Sequence, residues 1–282
     1  MDIQHFFDRE TSTLTYVVHD TRTGVVIDPV LDYDPKSART SFRSADAVAQ
    51  YIDDRHLAIP YVIDSHAHAD HLTAIPFFKN RYGARTVTGS RVGEVQRAFR
   101  DIYNLGADFP VDGRQFDLLL DEGQELEVGA FRVRAMHTPG HTPAHMSWQI
   151  DDALFVGDTL FMPDYGTARC DFPGGSTEQL FDSIQRIYAL PASTRLFMCH
   201  DYQPGGRELR FVTTVAEQKH ANIQLREGTT KQEFTTIRKN RDAQLEMPAL
   251  ILPAVQVNIR AGEFPEPEAN GRAYLKIPLN LF

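Results

Sequence analysis

The strongest constraint in this 282-residue chain is an apolar run that ends in a cluster of ligands. Residues 58–66 read "AIPYVIDSH", the composition of a buried strand, and run without a spacer into "HAHADH" at 66–71. A strand buried on both faces leaves only its tip for polar chemistry, so this one must end at a sheet edge. Loops at such an edge can hold a site while the sheet keeps it rigid. Where the segment is extended, His66 and His68 point the same way, because side chains alternate with period two. Asp70 and His71 follow as the chain turns toward a helix. Neutral imidazoles with a carboxylate suit zinc or iron. A lone histidine reads as a core or surface residue, whereas this density reads as a metal site.

Three more polar signals sit where β-like runs end: "HTPGH" at 137–141, "VGDTL" at 156–160 and "CHDY" at 199–202. Residues 14–29 read as a hairpin, two β-branched runs around a turn at Gly24. Helical spacing predicts helices over 44–56, 72–83, 91–103, 208–222 and 231–245. Ser176 and Gln179 open another over 176–190 with a capping-box pattern. Short β-like runs fill 116–158, and a further strand leads into His200. The segment after residue 247 carries five prolines and reads as an irregular wrap. Antiparallel-looking groups of strands with helices between them predict two sheets with helices outside, an α/β sandwich.

The net charge is −9, and the histidines lie in no Lys/Arg-rich run, which argues against nucleic acid. An anionic small molecule would need a pocket built by local arginines. Two cysteines, Cys170 and Cys199, exclude a disulfide scaffold and favour a reducing compartment. The charged start "MDIQHFFDRE" is not a secretory signal, and no window approaches the ~20 apolar residues of a spanning helix. The expectation is a cytoplasmic protein without a membrane partner.

H-x-H-x-D-H, a Pro-Gly-His-Thr turn, a Gly-Asp strand end and a late His together resemble the metallo-β-lactamase superfamily, over roughly residues 12–262. The resemblance implies an αββα four-layer sandwich with metal at one edge, in a single domain over 1–282 that ends in an irregular extension from about 262. On the general pattern His66, His68 and His141 make one metal site, Asp70, His71 and His200 a second, and Asp158 bridges them.

"GTARCDFPGG" (166–175) is similar to the Gly-x-x-Arg-x-Asp-Phe segment of the persulfide dioxygenase (ETHE1-like) branch. "CHDY" and "PAVQVNIRAG" (253–262) resemble that branch as well. The resemblance implies one Fe(II) per chain held by His66, His141 and Asp158, with His68, Asp70, His71 and His200 supporting those ligands. It assigns the glutathione carrier to Arg169, Asp171, Tyr202 and Arg260. The implied activity is oxidation of glutathione persulfide, or a similar small persulfide, by O2. The rival is a glyoxalase II-type hydrolase of glutathione thioesters, with Zn(II) or another dinuclear centre on the same seven ligands. A less favoured alternative is a metal- or persulfide-binding regulator with Cys170 as sensor.

Of the other histidines, His137 and His145 flank His141, and the turn selects His141 for the metal. Cys199 and Trp148 read as packing, and Cys170 as a buried or pocket residue. "RKNR" at 238–241 reads as a solvated helix face. The extension past Gly262 is expected to line a homodimer interface or to close the pocket.

Overall fold

The computed structural model describes residues 1–281. In chain order the strands and helices begin β1 (Asp2–Asp8), β2 (Thr13–His19), β3 (Thr23–Ile27), β4 (Val30–Asp34), β5 (Arg39–Ser41), α1 (Arg43–Asp54) and β6 (Ala58–Ile63). They continue β7 (Leu72–Thr73), α2 (Ile75–Tyr82), β8 (Arg85–Gly89), α3 (Val92–Ile102), β9 (Leu118–Leu120), β10 (Glu125–Val128) and β11 (Phe131–His137). Then follow β12 (Met146–Ile150), β13 (Ala153–Phe155), α4 (Thr177–Tyr188), β14 (Arg195–Phe197), β15 (Val212–Thr214), α5 (Val215–Ala221), α6 (Lys231–Asp242) and α7 (Ile251–Asn258).

Two six-stranded sheets carry the fold, in the orders β1-β2-β3-β6-β8-β9 and β10-β11-β12-β13-β14-β15. Period two sorts their side chains. On β2, Leu14, Tyr16 and Val18 enter the core between the sheets, and Val17 faces the helices. On β13 and β14, Phe155 and Phe197 point inward, and Leu154 and Leu196 point out. The outer face of the first sheet packs on α1, α2 and α7, and that of the second on α4, α5 and α6. Burial on both faces explains why these strands read as continuous apolar runs. The result is the four-layer αββα sandwich. No helix among the described residues is long and apolar enough to cross a membrane.

Three elements differ from the sequence reading. Within 208–222 only Val215–Ala221 is helical. Val212–Thr214 pairs antiparallel with β14, as suits its β-branched residues. Leu72–Thr73 pairs with β4, so α2 starts later, at Ile75. The proline-rich segment contains helix α7, because Pro253 falls in its first turn, where a missing N–H breaks no intrahelical bond.

Residues 263–281 form no helix or strand. They run back along α7, where Gln256 Nε2 donates to the Lys276 carbonyl and Gln256 Oε1 accepts the Lys276 N–H. They do not line the pocket at the candidate site, so the expectation that they close it is not met.

Candidate metal centre

Chain reversals at the tips of β6, β13 and β14, and in the β11–β12 connection, bring the four signals together. Two glycines make this possible. Gly157 has φ +50°, and a Cβ there would sit 2.5 Å from His145 Nε2. Gly140 has φ +147°, and a Cβ there would meet the Leu180 backbone of α4 at 2.4 Å. Each holds its neighbour, Asp158 or His141, at a point where no other residue fits.

His66, His141 and Asp158 form one buried group, with donor atoms within 4.8 Å of one another. Asp158 Oδ2 lies 3.7 Å from His141 Nε2 and 4.0 Å from His66 Nε2. His68, Asp70, His71 and His200 form a second group. Asp158 faces both, because its Oδ1 lies 3.3 Å from His200 Nε2. The three histidines of the first run therefore part company. His66 joins the first group. The Nε2 of His68 is 3.2 Å from Asp28 Oδ1, and its ring belongs with Asp70 and His71.

The donor set fits a metal. His66 Nε2, His71 Nε2 and His68 Nδ1 are buried without a hydrogen-bond partner, and His200 Nε2, although 3.0 Å from Asp70 Oδ2 and 3.3 Å from Asp158 Oδ1, meets neither in hydrogen-bond geometry. Among the described residues, only Thr142 Oγ1 and Trp148 Nε1 share that condition outside the cluster. Such atoms are costly unless a cation satisfies them.

Electrostatics point the same way. Burial and the neighbouring rings hold His66 well below the usual histidine range, so it is a neutral ligand. Burial also opposes charge on His200, but Asp70 and Asp158 overcome it and hold the imidazolium up to about 10. The two carboxylates thus demand positive charge at this point, which a proton or a metal cation meets. Burial likewise opposes charge on His68, and Asp28 raises it to about 8. Asp64, beneath the loop, is pushed up to about 7 by burial.

Supporting contacts fix the ligands. His141 Nδ1 donates to the Arg169 carbonyl at 2.8 Å, which leaves Nε2 for the site. His145 is not a ligand. Its Nε2 accepts the Asp158 N–H at 2.8 Å, so its proton lies on Nδ1, which donates to Thr138 Oγ1 at 3.0 Å. His137 is tied to the Pro143 carbonyl. Asp28, at φ +50°, takes the Ser65 N–H at 2.6 Å as well as His68. Asn258 of α7 is a clamp. Its Nδ2 donates to the carbonyls of His68 and His71, and its Oδ1 accepts the Thr73 N–H. Asn258→Ala is expected to cost about 1–3 kcal/mol in urea unfolding, the penalty for stranding buried backbone groups. Metal retention under chelator challenge should fall with it.

Next to the first group lies an open pocket of about 390 Å³. His141, Asp158, Asp70, Arg169 and Tyr202 line it, with Phe161, Tyr165 and Phe172 as aromatic walls. Asp171 does not line it. Instead it takes the Arg169 guanidinium through two contacts, 2.6 and 2.7 Å. Arg260 is not a lining residue either. Its side chain covers Phe109 at 4.9 Å and bonds the Gln256 carbonyl. Cys170 is buried, and desolvation raises its thiol well above the usual range, which does not suit a sensor. Trp148 and Cys199 are buried as read.

"RKNR" is not a solvated face throughout. Arg238 is 2% exposed and bonds Asp242, the Thr167 carbonyl and Gln224. Asp28 escaped the sequence reading, and Asn258 stood in the quoted "PAVQVNIRAG" without a role. His145 had a signal in "HTPAHM", but its role lies in a contact with Asp158 that spacing does not reveal.

Comparison with known proteins agrees with this geometry. The metallo-beta-lactamase superfamily model matches residues 8–200. A probable metallo-hydrolase of Burkholderia pseudomallei is 50% identical, over 99% of both chains. The human persulfide dioxygenase ETHE1 is 28% identical over 92% of this chain and 88% of its own length. The crystal structure of ETHE1 from Myxococcus xanthus superposes with a TM-score of 0.75 at 32% identity, covering 93% of this chain and all of that one. By its fold, its ligand cluster and these likenesses, the chain belongs to the metallo-beta-lactamase superfamily, with ETHE1-type proteins among its relatives.

Proposed function

We propose that this protein is a persulfide dioxygenase that uses one Fe(II) per chain. Glutathione persulfide, O2 and water would give glutathione, sulfite and two protons. The observation that carries the reading is the separation of the histidines. His66 and His141 share a group with a single carboxylate, Asp158, while His68 is drawn aside by Asp28. Two imidazoles and one carboxylate on one face are the ligand set of non-haem iron oxygenases. Iron(II) held by that set would supply adjacent open positions for O2 and for the sulfane sulfur.

The chain's own residues do the positioning. His145 holds the Asp158 backbone, and the Arg169 carbonyl holds the His141 ring. Phe161, Phe172 and Tyr202 wall the pocket, which limits water around the reactive sulfur. Tyr202 stacks on His200 with an interplanar angle of 13°, so this wall borders the second group. The likeness to ETHE1 proteins supports this reading.

A dinuclear hydrolase of glutathione thioesters is the second reading. The grouping of His68, Asp70, His71 and His200, with the unpartnered ring atoms of His68 and His71, favours it, as does the hydrolase name of the 50% identical relative. Metal analysis of anaerobically purified protein decides between them, followed by an oxygen-electrode trace with glutathione persulfide. About one iron per chain and uptake of O2 are expected. Two metals, with thioester turnover and no O2 uptake, would establish the hydrolase.

A further inference from the structure

One wall of the pocket is made by α6 and the residues just after it. Arg238, Arg241, Leu245, Glu246 and Pro248 all line the cavity. Three arginines border it, and two of them are engaged. Arg169 is held by Asp171, and Arg238 by Asp242. Arg241 has no carboxylate partner among the described residues and is exposed. The acidic residues divide in the same way. Asp70 and Asp158 belong to the ligand cluster, and Glu10 pairs with Arg43 at 3.2 Å. The Glu246 carboxylate has no partner, because only its backbone carbonyl is used, by Arg169.

Ligand atoms, aromatic side chains, one unpaired cation and one unpaired anion thus line a single cavity. Its volume, about 390 Å³, suits a small organic ligand. We propose that Arg241 and Glu246 form a subsite for the α-amino-acid end of the thiol carrier. Arg241 takes the α-carboxylate and Glu246 the α-ammonium, while the sulfur reaches His141 and Asp158. The carrier is a zwitterionic thiol such as glutathione, whose γ-glutamyl end bears both charges. A carrier whose far end is purely anionic would meet Glu246 and be disfavoured. This rests on the reading of a small-thiol persulfide as substrate. It also explains how the pocket manages without Arg260, because a residue of α6 takes over the second carboxylate contact.

Calorimetric titration of the metal-loaded protein under anaerobic conditions tests the subsite, with glutathione and N-acetylglutathione as probes. Wild-type protein should bind glutathione about 10-fold more tightly than the N-acetyl form, the scale of one charge-assisted contact at a partly solvated rim. Arg241→Glu should weaken glutathione binding by about 10-fold or more. Glu246→Gln should remove the preference between the two probes. In oxygen uptake, Arg241→Glu should raise KM for glutathione persulfide and leave kcat unchanged.

If both variants bind glutathione as the wild type does while oxygen uptake persists, the subsite is wrong and the dioxygenase reading stands. If wild-type protein consumes no oxygen but Arg241→Glu still weakens glutathione binding, the subsite stands and the dioxygenase reading falls. Wild-type protein that binds neither probe overturns the subsite.

Discussion

Asp158→Ala is expected to abolish oxygen uptake with glutathione persulfide and to strip the protein of metal. The loss should exceed about 100-fold, the upper range for losing a mere supporter of a ligand. Asp158 is the only anion in the group that holds His66 and His141. Its Oδ2 faces both rings, and its Oδ1 faces His200. Without it, two neutral imidazoles remain for a divalent cation, and His200 loses one of the carboxylates that keep it charged. The backbone at 157–158 is set by Gly157 and the His145 contact, so the far-ultraviolet circular dichroism should not change. A variant that keeps both its metal and its oxygen uptake would remove Asp158 from the centre. His145→Gln, which disturbs only the support of Asp158, should give a smaller loss of about 10–100-fold.

Arg238→Ala is expected to be the most destabilising single change outside the ligands, by about 3–5 kcal/mol in chemical unfolding. The guanidinium bonds the Thr167 carbonyl at 2.8 Å, Gln224 at 3.0 Å and Asp242 at 2.9 Å. Asp242 in turn accepts the Cys170 N–H at 3.0 Å. Truncation leaves that carboxylate buried beside a single backbone donor. The damage should reach the site, because Arg169 lies between the two pinned positions and its carbonyl orients His141. Metal affinity should therefore fall together with stability. In Arg238→Met with Asp242→Leu, the stranded charge is gone and much of the stability should return, while the loop stays loose. Equal stability of Arg238→Ala and wild type would show that this network is not holding the loop.

What could be read in the chain depended on sequence distance. "HAHADH", "HTPGH" and "VGDTL" are compact, and each follows its own strand, so the candidate ligand cluster and the layered fold were legible. The partition of the ligands was implied only by the resemblance that "GTARCDFPGG" carries; its physical cause was hidden, because it lies with Asp28, about forty residues before His68, in a left-handed turn without a motif. Arg238 was misread because it stands in a charge run, and its burial is decided by carbonyls and amides from another part of the chain. A helix was read over 208–222 because propensity alone does not register the vacant edge of β14 that claims Val212–Thr214. Arg260 matched a family segment but not a position. Two residues beyond Asn258, its side chain leaves toward Phe109.

The Asn258 clamp carries a consequence for the order of events when the protein is made. The loop bearing His66, His68, Asp70 and His71 emerges early, yet the side chain that locks it is 187 residues further on than His71. At about 5–20 residues per second, the gap lasts roughly 10–40 s. Through that interval the growing chain displays imidazoles and carboxylates with no cage to choose among metals. Any choice among ions by the geometry of the folded site therefore begins only after Asn258 has been made.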